Sequence, residues 1–168
     1  QAALKLIQPG GVYFIDDSTT LLKLSQSITV PVTIYTHSLD NAIALAVRPE
    51  VTLRLLGGNL NHHARFFYSV AGLETLSQVH FDAVFIGATA VNADGLFFAY
   101  ENDAQIKGTV VKTAKKVVVV AEAQKFGTDA TYRGFKLDAI DTLISDTAIL
   151  PAQKSWFDAK TDLIVAIP

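Results

Sequence analysis

Val117-Val118-Val119-Val120 runs without a break into Ala121-Glu122-Ala123-Gln124-Lys125-Phe126-Gly127. Four consecutive β-branched residues are poor helix material. With no polar residue between them, they predict a strand covered on both faces. Such a strand needs helices on either side, which is the logic of a parallel α/β sheet. The pattern repeats upstream. Val12-Tyr13-Phe14-Ile15 follows Pro9-Gly10-Gly11, Val32-Thr33-Ile34-Tyr35 comes next, and residues 51–56 make a third run that ends at Gly57-Gly58. Ala83-Val84-Phe85-Ile86, ended by Gly87, predicts a central strand. Helices are expected over residues 20–27, 41–47, 72–79 and 103–115, with Ser38 or Asp40 capping the second and a turn at residues 92–95. Later strands are expected at residues 142–145 and 163–167. The fold class is α/β, a mostly parallel sheet flanked by helices.

Composition narrows the function. The chain has 168 residues, half of them apolar and 18% charged, so it can bury a core and is not a disordered tail. Its net charge of −2 argues against a surface that grips phosphate backbones by itself. With no cysteine, disulfides, thiolate metal sites and cysteine nucleophiles are excluded. No apolar stretch approaches the roughly 20 residues that span a bilayer, and no signal peptide is visible, so a cytoplasmic location is expected. The sequence starts at Gln1 and contains no methionine, so residues 1–168 are expected to be one domain of a longer protein.

Polar and small residues gather where strands end. They are Asp16-Asp17-Ser18-Thr19-Thr20, Thr36-His37-Ser38, Gly57-Gly58 and Gly87-Ala88-Thr89. In parallel sheets ligands bind at those ends, and hydroxyls beside free helix amides suit a phosphate. Lys107 and Lys125 would add positive charge. Each feature also has a plainer reading. The Asp-Ser-Thr cluster could be a cap and turn, the glycine pair a tight turn, and Lys107 a solvated helix lysine. His62-His63 lacks a third metal ligand at familiar spacing and reads as an exposed loop, and His80 reads as structural. Glu101 and Asp103 are catalytic carboxylates or, more simply, first-turn acids favoured by the helix dipole. Phe66-Phe67-Tyr68 is a lid, a core segment or, slightly favoured, a subunit contact. Nothing matches a nucleophile elbow, a Walker A loop or a dinucleotide fingerprint.

In order and spacing these stretches resemble the C-terminal effector domain of DeoR-type bacterial transcription regulators. The resemblance rests on Ile15 to Thr20, Thr36-His37-Ser38-Leu39, Leu56-Gly57-Gly58 and Phe85-Ile86-Gly87-Ala88-Thr89. It continues through Asp103 to Lys107 and Ala121 to Gly127. It implies the fold shared by ribose-5-phosphate isomerase, glucosamine-6-phosphate deaminase and CoA transferases. It also implies a sensor of phosphorylated sugars, a homo-oligomer (dimer or tetramer), and DNA contact only through an N-terminal helix-turn-helix domain. Neither a metal nor a cofactor is implied. Carried over residue by residue, the ligand-binding set is Asp16, Asp17, Ser18, Thr19, Thr20, Thr36, His37, Ser38, Gly57, Gly58, Gly87, Lys107 and Lys125. Asp17 stands where the family has serine and Ser18 where it has glycine, so the first loop carries an extra negative charge. The alternatives are a sugar-phosphate isomerase or deaminase, with Asp16, Asp17 or Asp103 as base, and a degenerate domain that only oligomerises.

Overall fold

In a computed structural model, which describes residues 1–166, the chain opens on a helical turn at Ala3–Leu6 and enters β1 (Val12–Ile15). α1 (Thr19–Ser27) leads to β2 (Val32–Thr36), and α2 (Leu39–Ala46) leads to β3 (Val51–Leu55). A hairpin of β4 (Asn59–Asn61) and β5 (Phe66–Tyr68) follows, then α3 (Val70–Ser77) and β6 (Ala83–Gly87). A second hairpin, β7 (Ala90–Asn92) and β8 (Gly95–Phe98), precedes α4 (Glu101–Thr113) and β9 (Val117–Val120). β10 (Tyr132–Phe135) pairs antiparallel with β8. β11 (Thr142–Ser145), the single turn α5 (Pro151–Lys154) and β12 (Asp162–Val165) end the described chain.

Seven strands form one sheet in the order β12-β11-β9-β6-β1-β2-β3, with every pairing parallel. The chain builds β1, β2 and β3 in one direction, then returns to the other side of β1 with β6. The order therefore reverses between β1 and β6, and the crevice at their carboxyl ends is the natural ligand site of such a sheet. Side chains alternate between two cores. Tyr13, Ile15, Phe85 and Val118 face α1 and α2, whereas Phe14, Val84, Ile86 and Val119 pack in the other core with Ile106 and Val110 of α4. This double covering is why the central runs are uninterruptedly apolar.

The expected strands and the four longer helices are present, with bounds shifted by a residue or two. The last expected strand is β12, and Ile167 lies outside the described residues. Residues 59–68 form the β4–β5 hairpin, and β7, β8 and β10 make a small antiparallel sheet. Strands of three or four residues are too short to declare a period. Phe66 is buried against His37 and Tyr100, so it is core, while His62 and His63 are exposed as expected. His80 is exposed between α3 and β6, which corrects its structural reading. Among the described residues no helix is long and apolar enough to cross a membrane.

Gly87 lets the loop after β1 lie across the end of β6. A Cβ there would come 2.3 Å from the Ser18 Cβ, whereas one at Gly57 would meet nothing within 4 Å. Gly87→Ala should therefore cost about 1–3 kcal/mol in a denaturant melt, and Gly57→Ala less than about 0.5 kcal/mol. Equal effects would mean that the close approach at Gly87 is not a packing constraint.

Candidate functional site

The site is built on Asp16, the residue immediately after β1. Its carboxylate is fully buried. Oδ1 accepts from the Ser18 amide at 2.9 Å and Oδ2 from the Gly87 amide at 2.8 Å. One side chain thus ties the loop leading into α1 to the end of β6. Two more expected site residues serve the same framework. Thr36 donates to the Ile15 carbonyl at 2.6 Å and accepts from the Ser38 amide at 3.1 Å. Ser38 caps α2, accepting from the Asn41 amide at 3.1 Å.

α4 brings in the charge. Asp103 and Lys107 lie one helical turn apart and both are buried. The Lys107 ammonium is 2.7 Å from Asp103 Oδ2, 3.1 Å from Asp16 Oδ2 and 3.1 Å from Asp17 Oδ1, and it sits 4.2 Å from the Phe98 ring centre. The solvated reading of Lys107 is therefore corrected, whereas Asp103 does stand in the first turn of α4, as read, and is buried there. Helix packing against the sheet puts them inside. Lys107 lines the cleft, and three carboxylates share its charge.

His37, wholly buried, stacks on Phe14 at 5.5 Å and places Nε2 2.9 Å from Asp103 Oδ1 and 3.6 Å from Asp17 Oδ1. Its Nδ1 has no partner among the described residues. Burial opposes its charge, but Asp17 and Asp103 outweigh that and raise its pKa. Burial likewise opposes the charge on Asp103, yet Lys107 and His37 hold that carboxyl down at about 2. For Asp16 burial wins over Lys107, with Asp17 and Asp103 adding repulsion, and its pKa rises to about 6. Lys107 goes well above its ordinary range, because its three carboxylates overcome its burial. Asp17, His37 and Asp103 place ligand atoms within 4.8 Å of one another, as a divalent ion would require. The Lys107 ammonium, in contact with both carboxylates, supplies the cation there.

Above this cluster lies a cleft of about 260 Å³, at the point where the strand order reverses. Asp17, Ser18, Thr19 and Thr20 form one wall, Gly87 to Thr89 another, and Glu122 and Lys125 a third, with Asp103 and Lys107 as the floor. Ser18 is the N-cap of α1, but its side chain makes no capping bond, and the first turn holds no acid. The amides of Thr19 and Thr20 meet no protein acceptor among the described residues. Lys125 is half-buried and forms no ion pair among the described residues. Of the expected residues, Asp17, Ser18, Thr19, Thr20, Gly87, Lys107 and Lys125 line the cleft. Asp16 and His37 lie beneath it, and Thr36, Ser38, Gly57 and Gly58 do not reach it. Gly58 serves the hairpin instead, since a Cβ there would lie 2.1 Å from the Tyr68 carbonyl. Sequence reasoning misses Tyr100, Thr89 and Glu122. Thr89 and Glu122 sit in quoted motifs, while nothing local marks Tyr100.

The cluster makes stability depend on pH. Raised pKa values at Asp16 and His37 mean that the native state binds more protons than the unfolded chain. Their contributions are complete below the unfolded values, near 3.8 and 6.5, and vanish as pH rises through about 6 for Asp16 and then through the raised His37 value. Asp103 works the other way. Its contribution is present above 3.8 and is lost as pH falls toward about 2. The melting temperature should fall by about 5 °C or more between pH 5.5 and 8, since a tenfold change in proton affinity on folding is worth about 1.4 kcal/mol. His37→Gln should flatten the upper part of that slope. A flat profile in melts of the unaltered chain would mean that these groups titrate normally.

The chain matches the DeoR C-terminal sensor domain family over residues 1–147. It is 32% identical over 145 residues to the HTH-type transcriptional repressor GlcR of Bacillus subtilis, covering 86% of this chain and 56% of that one. It is 28% identical over 152 residues to a putative aga operon transcriptional repressor of Escherichia coli, covering 89% and 56%. The chain thus spans about half the length of these relatives. Ribose 5-phosphate isomerase A of Methanocaldococcus jannaschii shares the fold, with a TM-score of 0.50 and 20% identity over 74% of this chain and 50% of that one. Strand order, the motifs at the strand ends and the extent of the match agree: this chain belongs to the family of DeoR C-terminal sensor domains.

Proposed function

We propose that this chain is the effector-sensing domain of a cytoplasmic transcription repressor, and that its cleft takes a phosphorylated sugar. The observation that carries the reading is the uncapped start of α1. Two amides without a protein acceptor and neighbouring hydroxyls on one wall share the cleft with Lys125 on another, which has no ion pair among the described residues. A helix N-terminus with free amides carries partial positive charge and hydrogen-bond donors together, which suits a phosphate. Asp16 holds that wall in place through the Ser18 and Gly87 amides, so the anion site is formed before the ligand arrives. A small metabolite suits a cleft of about 260 Å³, which lies below the roughly 300–1,000 Å³ of drug-sized sites. Curated relatives carrying the same domain are named as repressors. On this reading DNA is met through the further part of such proteins, and the ligand biases the arrangement of a dimer or tetramer.

The same geometry speaks against turnover. A base for sugar isomerisation must be accessible and must hold protons near neutral pH. Asp103 is engaged by both Lys107 and His37 and sits near 2, while Asp16, near 6, is sealed under the loop.

Thermal melts with a panel of sugar monophosphates test the reading. A ligand at about 100 times its Kd adds roughly 2.7 kcal/mol, or about 5–10 °C for a domain of this size. Lys125→Ala should abolish that shift while leaving the unliganded melt within about 2 °C. Lys107→Ala should instead cost about 3–5 kcal/mol of stability, because it strands buried carboxylates. If no sugar phosphate raises the melting temperature, the sensor reading falls. If the ligand that binds is also consumed, the enzyme reading replaces it.

A further inference from the structure

β3 is one edge of the seven-strand sheet, and that edge is open. The Leu56 amide donates to the Thr36 carbonyl, so Thr52, Arg54 and Leu56 turn their main-chain groups toward β2. By alternation Val51, Leu53 and Leu55 turn theirs outward. The Val51 amide closes a turn on the Arg48 carbonyl at 3.1 Å. The amides of Leu53 and Leu55, and the carbonyls of Val51, Leu53 and Leu55, have no partner among the described residues. Sheet edges are commonly blunted by a bulge or a proline, and β3 has neither along its five residues. The neighbouring helix is incomplete in a matching way. After Asn41, α2 and its cap carry only apolar residues, Ala42 to Val47. A helix apolar on every side is one that is covered on every side. Yet Ile43 is 59% exposed and Val47 77%, and Leu55 at the end of β3 is 42% exposed.

We propose that β3 and α2 meet a second copy of this chain, with the two β3 strands antiparallel about a twofold axis at Leu53. The inference goes beyond the sensor reading and holds whether or not the cleft takes a ligand. In this register the Leu53 amide meets the carbonyl of the partner's Leu53, and the Leu55 amide meets the carbonyl of the partner's Val51. Every free donor on the edge then has an acceptor. Charge agrees with the same register. Arg54 faces the partner's Thr52, and the partner's Glu50 lies on the diagonal of that face, within reach of a long side chain. A shift one way sets Arg54 against the partner's Arg54, like charges directly opposite. A shift the other way sets the Leu55 amide against the turn at the partner's Pro49. The surface is thus complementary to itself, as a twofold contact requires. The other edge, β12, carries Asp162 and lies beyond the residues 1–147 that match the family. The contact is also one helix from the cleft, because Asn41 of α2 donates to the Asp16 carbonyl.

Sedimentation velocity of this chain over a concentration series should show a particle of twice 18.1 kDa. Arg54→Glu puts acids on both sides of the contact and should weaken the dimer about tenfold, and adding Glu50→Arg to the same chain should restore it. Arg54 is exposed and neither residue forms an ion pair among the described residues, so the fold of one copy does not depend on them. The chain has no cysteine, so Thr52→Cys supplies a single thiol per copy. A short bismaleimide should join two copies through it, whereas Thr75→Cys, exposed on α3, should stay single. A monomer at every concentration would overturn the contact and leave the cleft to be judged by the melts with sugar phosphates. A dimer that ignores Arg54→Glu and does not cross-link through Thr52→Cys would overturn it as well, in favour of β12 if Val165→Lys breaks that dimer. Weakening that Glu50→Arg fails to reverse is loss of fold, and the cross-link then decides.

Discussion

One buried ammonium organises this domain. Lys107 reaches from α4 to the carboxylates that follow β1 and to Asp103 on its own helix. Burying that charge alone would be prohibitive, and so would burying three carboxylates without it. The partners therefore hold one another in place. The helix is locked to the sheet at the spot where the loops after β1 and β6 diverge, and the floor of the cleft is rigid as a result. The same interaction shapes what the floor can offer a ligand, because the charge of Lys107 is already shared among three carboxylates.

The architecture is legible in the sequence because its signals are local. Val117 to Val120, Ala83 to Ile86 and Val12 to Ile15 each state their burial in their own composition, and Ser38 announces the start of α2 within three residues. The site is legible only in part. Asp17, Thr19 and Lys125 declare their place by sitting just past a strand end. Lys107 and Asp103 do not, because a charged pair at helical spacing looks the same whether it faces water or the sheet. Their burial is set by partners far away in sequence, His37 lying 66 residues from Asp103 and Asp16 91 residues from Lys107. Gly57-Gly58 illustrates the opposite failure. A glycine pair after a strand suggests a ligand contact, yet here it eases the turn into a hairpin beneath the Tyr68 carbonyl. Phe66 misleads for a related reason. Its polar neighbours hide that its ring closes over His37 and Tyr100.

The parallel sheet also explains why one scaffold serves both sensors and isomerases. The strand order places a crevice between β1 and β6 whatever side chains fill it. Here His37 and Lys107 hold Asp103 between them, and a locked carboxylate is suited to recognition rather than to proton transfer.

The wall at the start of α1 and the floor differ in how they are encoded. The wall depends on main-chain amides at the start of α1, which any residue but proline supplies, so long as Asp16 and Gly87 keep the loop in place. The floor depends on side chains, Asp103 and Lys107 foremost. Anchoring and discrimination can therefore diverge at different rates. On the function proposed above, a lineage could exchange one effector for another by replacing a single acidic residue without rebuilding the wall that α1 supplies, and a set of paralogous regulators could sort a cell's metabolites from one inherited frame.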